Sequence, residues 1–88
     1  MDASPEIYLI YGITDCPACL RACADLMELG AEYVFLEMDY SKTYQNMIKA
    51  ELCWDTFPIV VCVDADGEHL VGGYDQLSQM IRRAKALI

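Results

Sequence analysis

Cys16-Pro17-Ala18-Cys19 stands between an apolar run that ends at Gly12 and a stretch whose apolar residues recur with helical spacing. Two thiols therefore sit one helical turn apart where a strand gives way to a helix. The first turn of a helix carries unpaired N–H groups and the positive end of the dipole, so a thiol placed there is favoured as its thiolate. Such a pair cycles between dithiol and disulfide. The competing readings are half of a zinc site or chance spacing. No second C-x-x-C or H-x-x-H follows to complete a metal site, which leaves redox chemistry as the preferred reading and no metal expected.

Outward from this motif the chain alternates strand and helix. Upstream, Glu6-Ile7-Tyr8-Leu9-Ile10-Tyr11 is almost wholly apolar and β-rich, as for a strand covered on both faces. Residues 1–5 read as a frayed start. Ile13-Thr14-Asp15 forms the turn, with Thr14 or Asp15 available as helix N-cap and Pro17 at a first-turn position where no N–H is missed. Leu20, Cys23, Ala24 and Met27 then recur at i, i+3, i+4 and i+7, with Leu26 and Leu29 widening the stripe, until Gly30 stops the helix. On this reading Cys23 is a small core side chain.

Glu32–Met38 is strand-like, and its return after a helix makes the first half a βαβ unit. Ser41 caps a second helix reaching about Leu52, with Tyr44, Met47, Ile48 and Leu52 on its apolar face. Cys53 and Trp54 end it. Asp55-Thr56-Phe57-Pro58 leads into Ile59–Val63, the most strand-like run in the chain, in which Cys62 reads as core. Pro58 is either a plain strand start or a cis X-Pro bond bending the chain toward the thiols. Asp64-Ala65-Asp66-Gly67 has turn chemistry, and Glu68–Val71 returns as the second arm of a hairpin, with His69 as an exposed edge residue. Gly72-Gly73 precedes a last helix that Asp75 is placed to cap. Leu77, Met80, Ile81, Ala84 and Ile88 form its stripe.

Length and charge narrow the class of function. The 88 residues, 56% hydrophobic and 23% charged, suffice for one domain spanning residues 1–88 and leave no room for a second core. A formal net charge of −8 argues against nucleic acid and anionic membrane as partners, since both need clustered Lys and Arg. Acids crowd the first forty residues against Arg21, whereas Arg82, Arg83 and Lys85 gather near the end, as the last helix's dipole prefers. Five cysteines, an odd number, with no signal-peptide pattern in the sequence point to a reducing, cytoplasmic setting. No apolar run approaches the roughly 18 residues of a membrane span.

Three short motifs occur in register. Cys16-Pro17-Ala18-Cys19, Thr56-Phe57-Pro58 and Gly72-Gly73-Tyr74-Asp75 resemble the C-P-Y-C, T-V-P and G-G-x-D elements of the glutaredoxin family, in the same order and at similar separations. The resemblance covers the chain from about Glu6 onward. It implies an α/β thioredoxin-like fold, a four-stranded mixed β-sheet flanked by three α-helices in the order βαβαββα. It further implies a thiol-disulfide oxidoreductase in which Cys16 attacks a disulfide sulfur and Cys19 resolves the mixed disulfide. Glutathione is then both reductant and ligand. Pro58 would be cis, and with Thr56 and Phe57 before it would line the glutathione site, the Phe57 backbone pairing with the cysteinyl part of glutathione, while Gly73, Tyr74 and Asp75 would hold its γ-glutamyl carboxylate. Lys42 and Lys49 are the candidates for its glycine carboxylate.

The chain departs from the family pattern at three points. Ile13 stands where a Lys is usual, Asp15 precedes Cys16 directly, and Ala18 replaces the aromatic residue between the cysteines. A carboxylate beside a thiol disfavours the thiolate, and the acidic first half disfavours anionic glutathione. These departures keep a second function in view: a glutaredoxin-like redoxin recharged by a thioredoxin-reductase-type flavoenzyme and serving a dedicated disulfide protein such as ribonucleotide reductase. An iron-sulfur carrier, with Cys16 of a dimer and glutathione as ligands, is disfavoured by Pro17. A monomer is expected.

Overall fold

A computed structural model describes residues 6–87. The frayed start assigned to residues 1–5 and the place of Ile88 on the last apolar stripe lie outside the described residues. The elements are β1 (Ile7–Gly12), α1 (Pro17–Leu29), β2 (Glu32–Glu37), α2 (Lys42–Leu52), β3 (Ile59–Asp64), β4 (Gly67–Gly72) and α3 (Tyr74–Ala86). The four strands form one mixed sheet in the order β2-β1-β3-β4, with β1 parallel to β2 and antiparallel to β3, and β4 antiparallel to β3. This is the thioredoxin-like arrangement implied by the three motifs. No helix among the described residues is long and apolar enough to cross a membrane.

The near-continuous apolar character of β1 and β3 follows from their central positions, because the sheet is covered on both faces. Tyr8, Ile10, Val60 and Cys62 point to one side and pack with Ala22 and Leu26 of α1 and Leu77 and Ile81 of α3. On the other side Ile59 meets Met38, the residue after β2, and Ile48 of α2, with Tyr11, Ile13, Leu36, Leu52, Trp54 and Phe57 around them. Full burial of a side chain such as Ile10 or Leu26 contributes about 1.5–3 kcal/mol, and both are wholly inaccessible. His69 is exposed on β4, the edge strand, as the alternation of its neighbours predicts.

The helix faces differ in part from the expected stripes. In α1 the buried residues are Cys19, Ala22 and Leu26, whereas Leu20 is 61% and Met27 66% exposed and Ala24 is also exposed; Cys23 is half-buried against the core. Apolar residues cover so much of α1 that two overlapping helical stripes can be drawn, and packing against β1 and α3 selects the one that begins at Cys19. In α2 only Ile48 is buried, Leu52 is half-buried, and Tyr44 and Met47 face outward.

Both assigned caps are also corrected. The N-cap of α1 is Cys16 itself, not Thr14 or Asp15. Thr14 is engaged elsewhere: its N–H donates to the Asp39 carboxylate at 3.1 and 3.3 Å, and the helix begins only at Pro17. At α3 the cap is Gly73, and Asp75 lies inside the first turn. The Gln76 side-chain oxygen accepts the N–H of the cap residue Gly73 at 2.9 Å, the reverse of the bond expected from Asp75, whose side chain was to accept from the helix's first N–H groups. Ser41 caps α2 as anticipated, accepting the Tyr44 N–H at 3.0 Å.

Candidate active site

The loop between β1 and α1 is pinned on both sides before it delivers Cys16. Met38 N–H donates to the Gly12 carbonyl at 2.8 Å, and Thr14 is tied to Asp39, so the end of β2 holds the end of β1 and the turn beyond it. Cys16 follows in extended conformation, and its Sγ accepts the Cys19 N–H at 3.2 Å. The sulfur thus takes one of the orphan donors of the helix N-terminus, an interaction that favours negative charge on it. Asp15, exposed and directly before the cap, acts against that charge.

The two thiols are unequal. Cys16 is half-exposed, while Cys19 is wholly buried. They are joined as a disulfide with Cα atoms 5.3 Å apart, a separation ordinary for such a bridge. Behind Cys19 there is no spare room: a Cβ at Gly12 would lie 2.8 Å from Cys19 Sγ and 2.8 Å from the Phe35 ring. In front of Cys16, the Phe57 carbonyl oxygen is 3.9 Å from its Sγ. The Phe57–Pro58 bond is cis, which decides between the two readings left open for Pro58.

Beside this pair runs a cleft of about 300 Å3 that gathers three separated segments. Thr56, Phe57, Pro58, Gly73, Tyr74 and Asp75, all six residues assigned to a ligand from the motifs, line it. Arg21, Trp54, Gln76 and Ala18 line it as well, and of these the motifs pointed to none as a ligand contact. Arg21 falls one turn beyond Ala18 on α1, and nothing in its local sequence sets it apart from a solvated helix charge. The first turn of α3 opens into the cleft, a placement suited to a carboxylate.

Charge in the cleft is arranged around Tyr74. Its hydroxyl donates to Asp25 Oδ2 at 2.7 Å, and that hydrogen bond, more than burial, holds the phenol above its ordinary titration range. The Arg21 guanidinium lies 5.2 Å from the centre of the Tyr74 ring. Lys49 Nζ sits 4.8 Å from the centre of the Phe57 ring, whereas Lys42 begins α2 and is exposed. Ile13, at the position where a Lys is usual, is half-buried against the cluster of Met38, Ile48 and Ile59. The remaining cysteines are separate: Cys23 is half-buried, Cys62 buried and Cys53 exposed, and burial pushes the Cys23 and Cys62 thiols up, away from reactivity.

The glutaredoxin family model matches residues 8–70. The chain belongs to the glutaredoxin family. It is accordingly a thiol-disulfide oxidoreductase, and the C-x-x-C pair that chemistry requires is present. Among solved structures, the chain is similar to the reduced form of glutaredoxin C1 from Populus tremula x tremuloides, with 23% identity and a TM-score of 0.73 over 91% of this chain and 68% of that one. The holo form of the same glutaredoxin C1 matches at 23% identity and a TM-score of 0.74, over 97% and 74%. A glutaredoxin from Brucella melitensis matches at 21% identity and 0.70, over 97% and 87%. A search of curated proteins gave no match. At these identities the structural likeness speaks for the glutaredoxin fold.

Proposed function

We propose that this glutaredoxin is a glutathione-dependent dithiol oxidoreductase in which Cys16 is the nucleophile and Cys19 the resolving thiol. The observation that carries the reading is the inequality of the two sulfurs: Cys16 is reachable and accepts a helix N-terminal N–H, while Cys19 is sealed behind it. The Cys16 thiolate attacks one sulfur of a substrate disulfide. The S–S bond breaks, the leaving thiolate takes up a proton, and Cys16 is left in a mixed disulfide. Cys19 loses its proton and attacks the Cys16 sulfur, which expels the second substrate thiol and closes the Cys16–Cys19 disulfide. Two glutathione molecules then return the pair to dithiol and leave as glutathione disulfide.

Glutathione is assigned to the cleft. Its cysteinyl backbone would pair with Phe57 beside Cys16, one carboxylate would meet the first turn of α3 near Tyr74 and Asp75, and Arg21 and Lys49 supply positive charge at the two sides. Lys49 is preferred to Lys42 because it lies against Phe57. With this chemistry goes a reducing compartment such as the cytoplasm, in which Cys23, Cys53 and Cys62 stay unpaired. Cys16→Ser is expected to abolish glutathione-dependent reduction of a mixed disulfide, and Cys19→Ser to retain monothiol turnover of that substrate. Equal turnover by the wild type and Cys16→Ser would overturn the assignment.

A second reading has its own observation. Ile13 spends the usual lysine position on core packing, and Asp15 adds negative charge beside the thiol. Both weaken attraction for anionic glutathione and favour recharging by a thioredoxin-reductase-type flavoenzyme, with a dedicated disulfide protein such as ribonucleotide reductase as acceptor. Turnover with glutathione and its reductase, compared with turnover on thioredoxin reductase, separates the two.

A further inference from the structure

At the end of the sheet away from Cys16, three metal-ligating side chains converge. Cys62 and Asp64 are two residues apart on β3 and so share one face, and the register Tyr8↔Cys62 and Ile7↔Val63 carries Glu6 opposite Asp64. Cys62 Sγ and a carboxylate oxygen from each of Glu6 and Asp64 all lie within 4.8 Å of one another. Cys62 is also the register partner of His69 on β4, and His69 Nε2 is 3.1 Å from Asp64 Oδ1. The cluster is distinct from the thiol pair, since β1 and β3 each run roughly 15–20 Å between the two ends.

We propose that Cys62, Asp64 and Glu6 bind a zinc ion, with His69 orienting Asp64 and water in the fourth position. The donor set chooses the metal. Calcium and magnesium take oxygen ligands, whereas a thiolate with two carboxylates suits a borderline-soft divalent ion with tetrahedral preference. Ligand bonds of about 2.0–2.3 Å place tetrahedral donors roughly 3.3–3.7 Å apart, so the side chains need close by only about an ångström. His69 on Asp64 supplies the outer hydrogen bond that fixes a ligating carboxylate.

Asp64 Oδ1 also accepts the Asp66 N–H at 2.8 Å. Cys62 is only 8% exposed, yet it faces two carboxylates; among the described residues neither Glu6 nor Asp64 is paired with a Lys or Arg. A divalent ion reverses the sign of the local field. Arg83 lines the adjoining groove with Cys62 and His69. Binding displaces the Cys62 proton, which passes to solvent, so affinity rises with pH.

The test uses the full chain with Cys16 and Cys19 oxidised, so that the dithiol takes no metal. Zinc alone is titrated by calorimetry, and cobalt(II) alone by absorption, where a thiolate ligand gives a charge-transfer band. The expected result is one metal per chain, a thiolate-to-cobalt band, and a melting temperature that rises with zinc. Cys62→Ser abolishes the band. Because that buried substitution risks misfolding, Glu6→Gln at the exposed strand start carries the same prediction, a loss of affinity of about tenfold or more, the least that disturbing a metal's outer partners costs. Absence of zinc uptake by the oxidised wild type, or a band that survives Cys62→Ser or disappears in Cys53→Ser, overturns the proposal.

Discussion

Gly12→Ala tests the claim that Cys19 is sealed from behind. The glycine lies in a central strand, and its φ is not in the left-handed region, so alanine meets no backbone penalty. In the unfolded chain the substitution even favours folding, by about 0.4–1 kcal/mol of backbone entropy. Against this stands contact. The new methyl would sit 2.8 Å from both Cys19 Sγ and the Phe35 ring, closer than carbon approaches either, and Cys19 has no exposed side to retreat to. Overpacking of this kind costs about 1–3 kcal/mol, which leaves a net loss of about 1–2 kcal/mol. For a domain of this size that lowers Tm by about 4–16 °C. Displacement of Cys19 also slows closure of the Cys16–Cys19 disulfide more than it slows attack by Cys16. Stopped-flow mixing with a mixed disulfide resolves the two steps, and a thermal melt of the reduced protein gives the stability. A variant as stable as the wild type, with both steps unchanged, would refute the packing argument.

Other outcomes follow from the same geometry. Arg21→Ala, which removes a cation from the cleft, is expected to raise KM for glutathione severalfold with kcat little changed, and to flatten its salt dependence in steady-state assays. Gly72→Ala forces a side chain onto φ 124° and places a Cβ 2.9 Å from Gln76 Cγ; a cost of about 1–3 kcal/mol and a loosened start of α3 should appear in denaturant unfolding and amide exchange. At the end of β2, hydrogen bonding between Glu37 and Asp39 pushes Glu37 up and holds Asp39 down, the latter helped by Thr14. Asp39 therefore stabilises the loop above the ordinary carboxylate range and loses that effect as pH falls through its lowered value. Glu37, raised, favours the fold when protonated, and that contribution fades as pH rises through its own value. Carboxyl NMR should find Glu37 titrating above Asp39, and Asp39→Asn should return Glu37 toward its ordinary range.

The order of elements was legible because the apolar runs of β1 and β3, the turn residues at Asp64–Gly67 and the stops at Gly12 and Gly30 act locally. The exposed face of α1 was not legible. Periodicity detects a stripe, but when Leu20, Ala24 and Met27 compete with Cys19, Ala22 and Leu26, only contact with β1 and α3 decides. The caps failed for a related reason. Thr14 is a good cap in isolation, yet a bond to Asp39, twenty-five residues later, ties it into the loop and the helix starts beyond it at Pro17, while α3 starts earlier than foreseen, with Gly73 as its cap and Asp75 inside its first turn. Arg21 joined the candidate site only when α1, the Trp54–Pro58 segment and α3 came together, since nothing in its immediate neighbours marks it as more than a solvated helix charge.

The five cysteines also grade the molecule from surface to centre, from exposed Cys53 through half-exposed Cys16 and half-buried Cys23 to Cys62 and fully enclosed Cys19. In the reduced state an alkylating reagent then meets them in sequence, and the mass added per molecule becomes a clock of local opening. Cys53 and Cys16 react with the folded chain, while Cys62 and Cys19 wait for excursions that part α1 and α3 from the sheet. The protein thus carries an internal gauge of its own breathing, readable without any added label site.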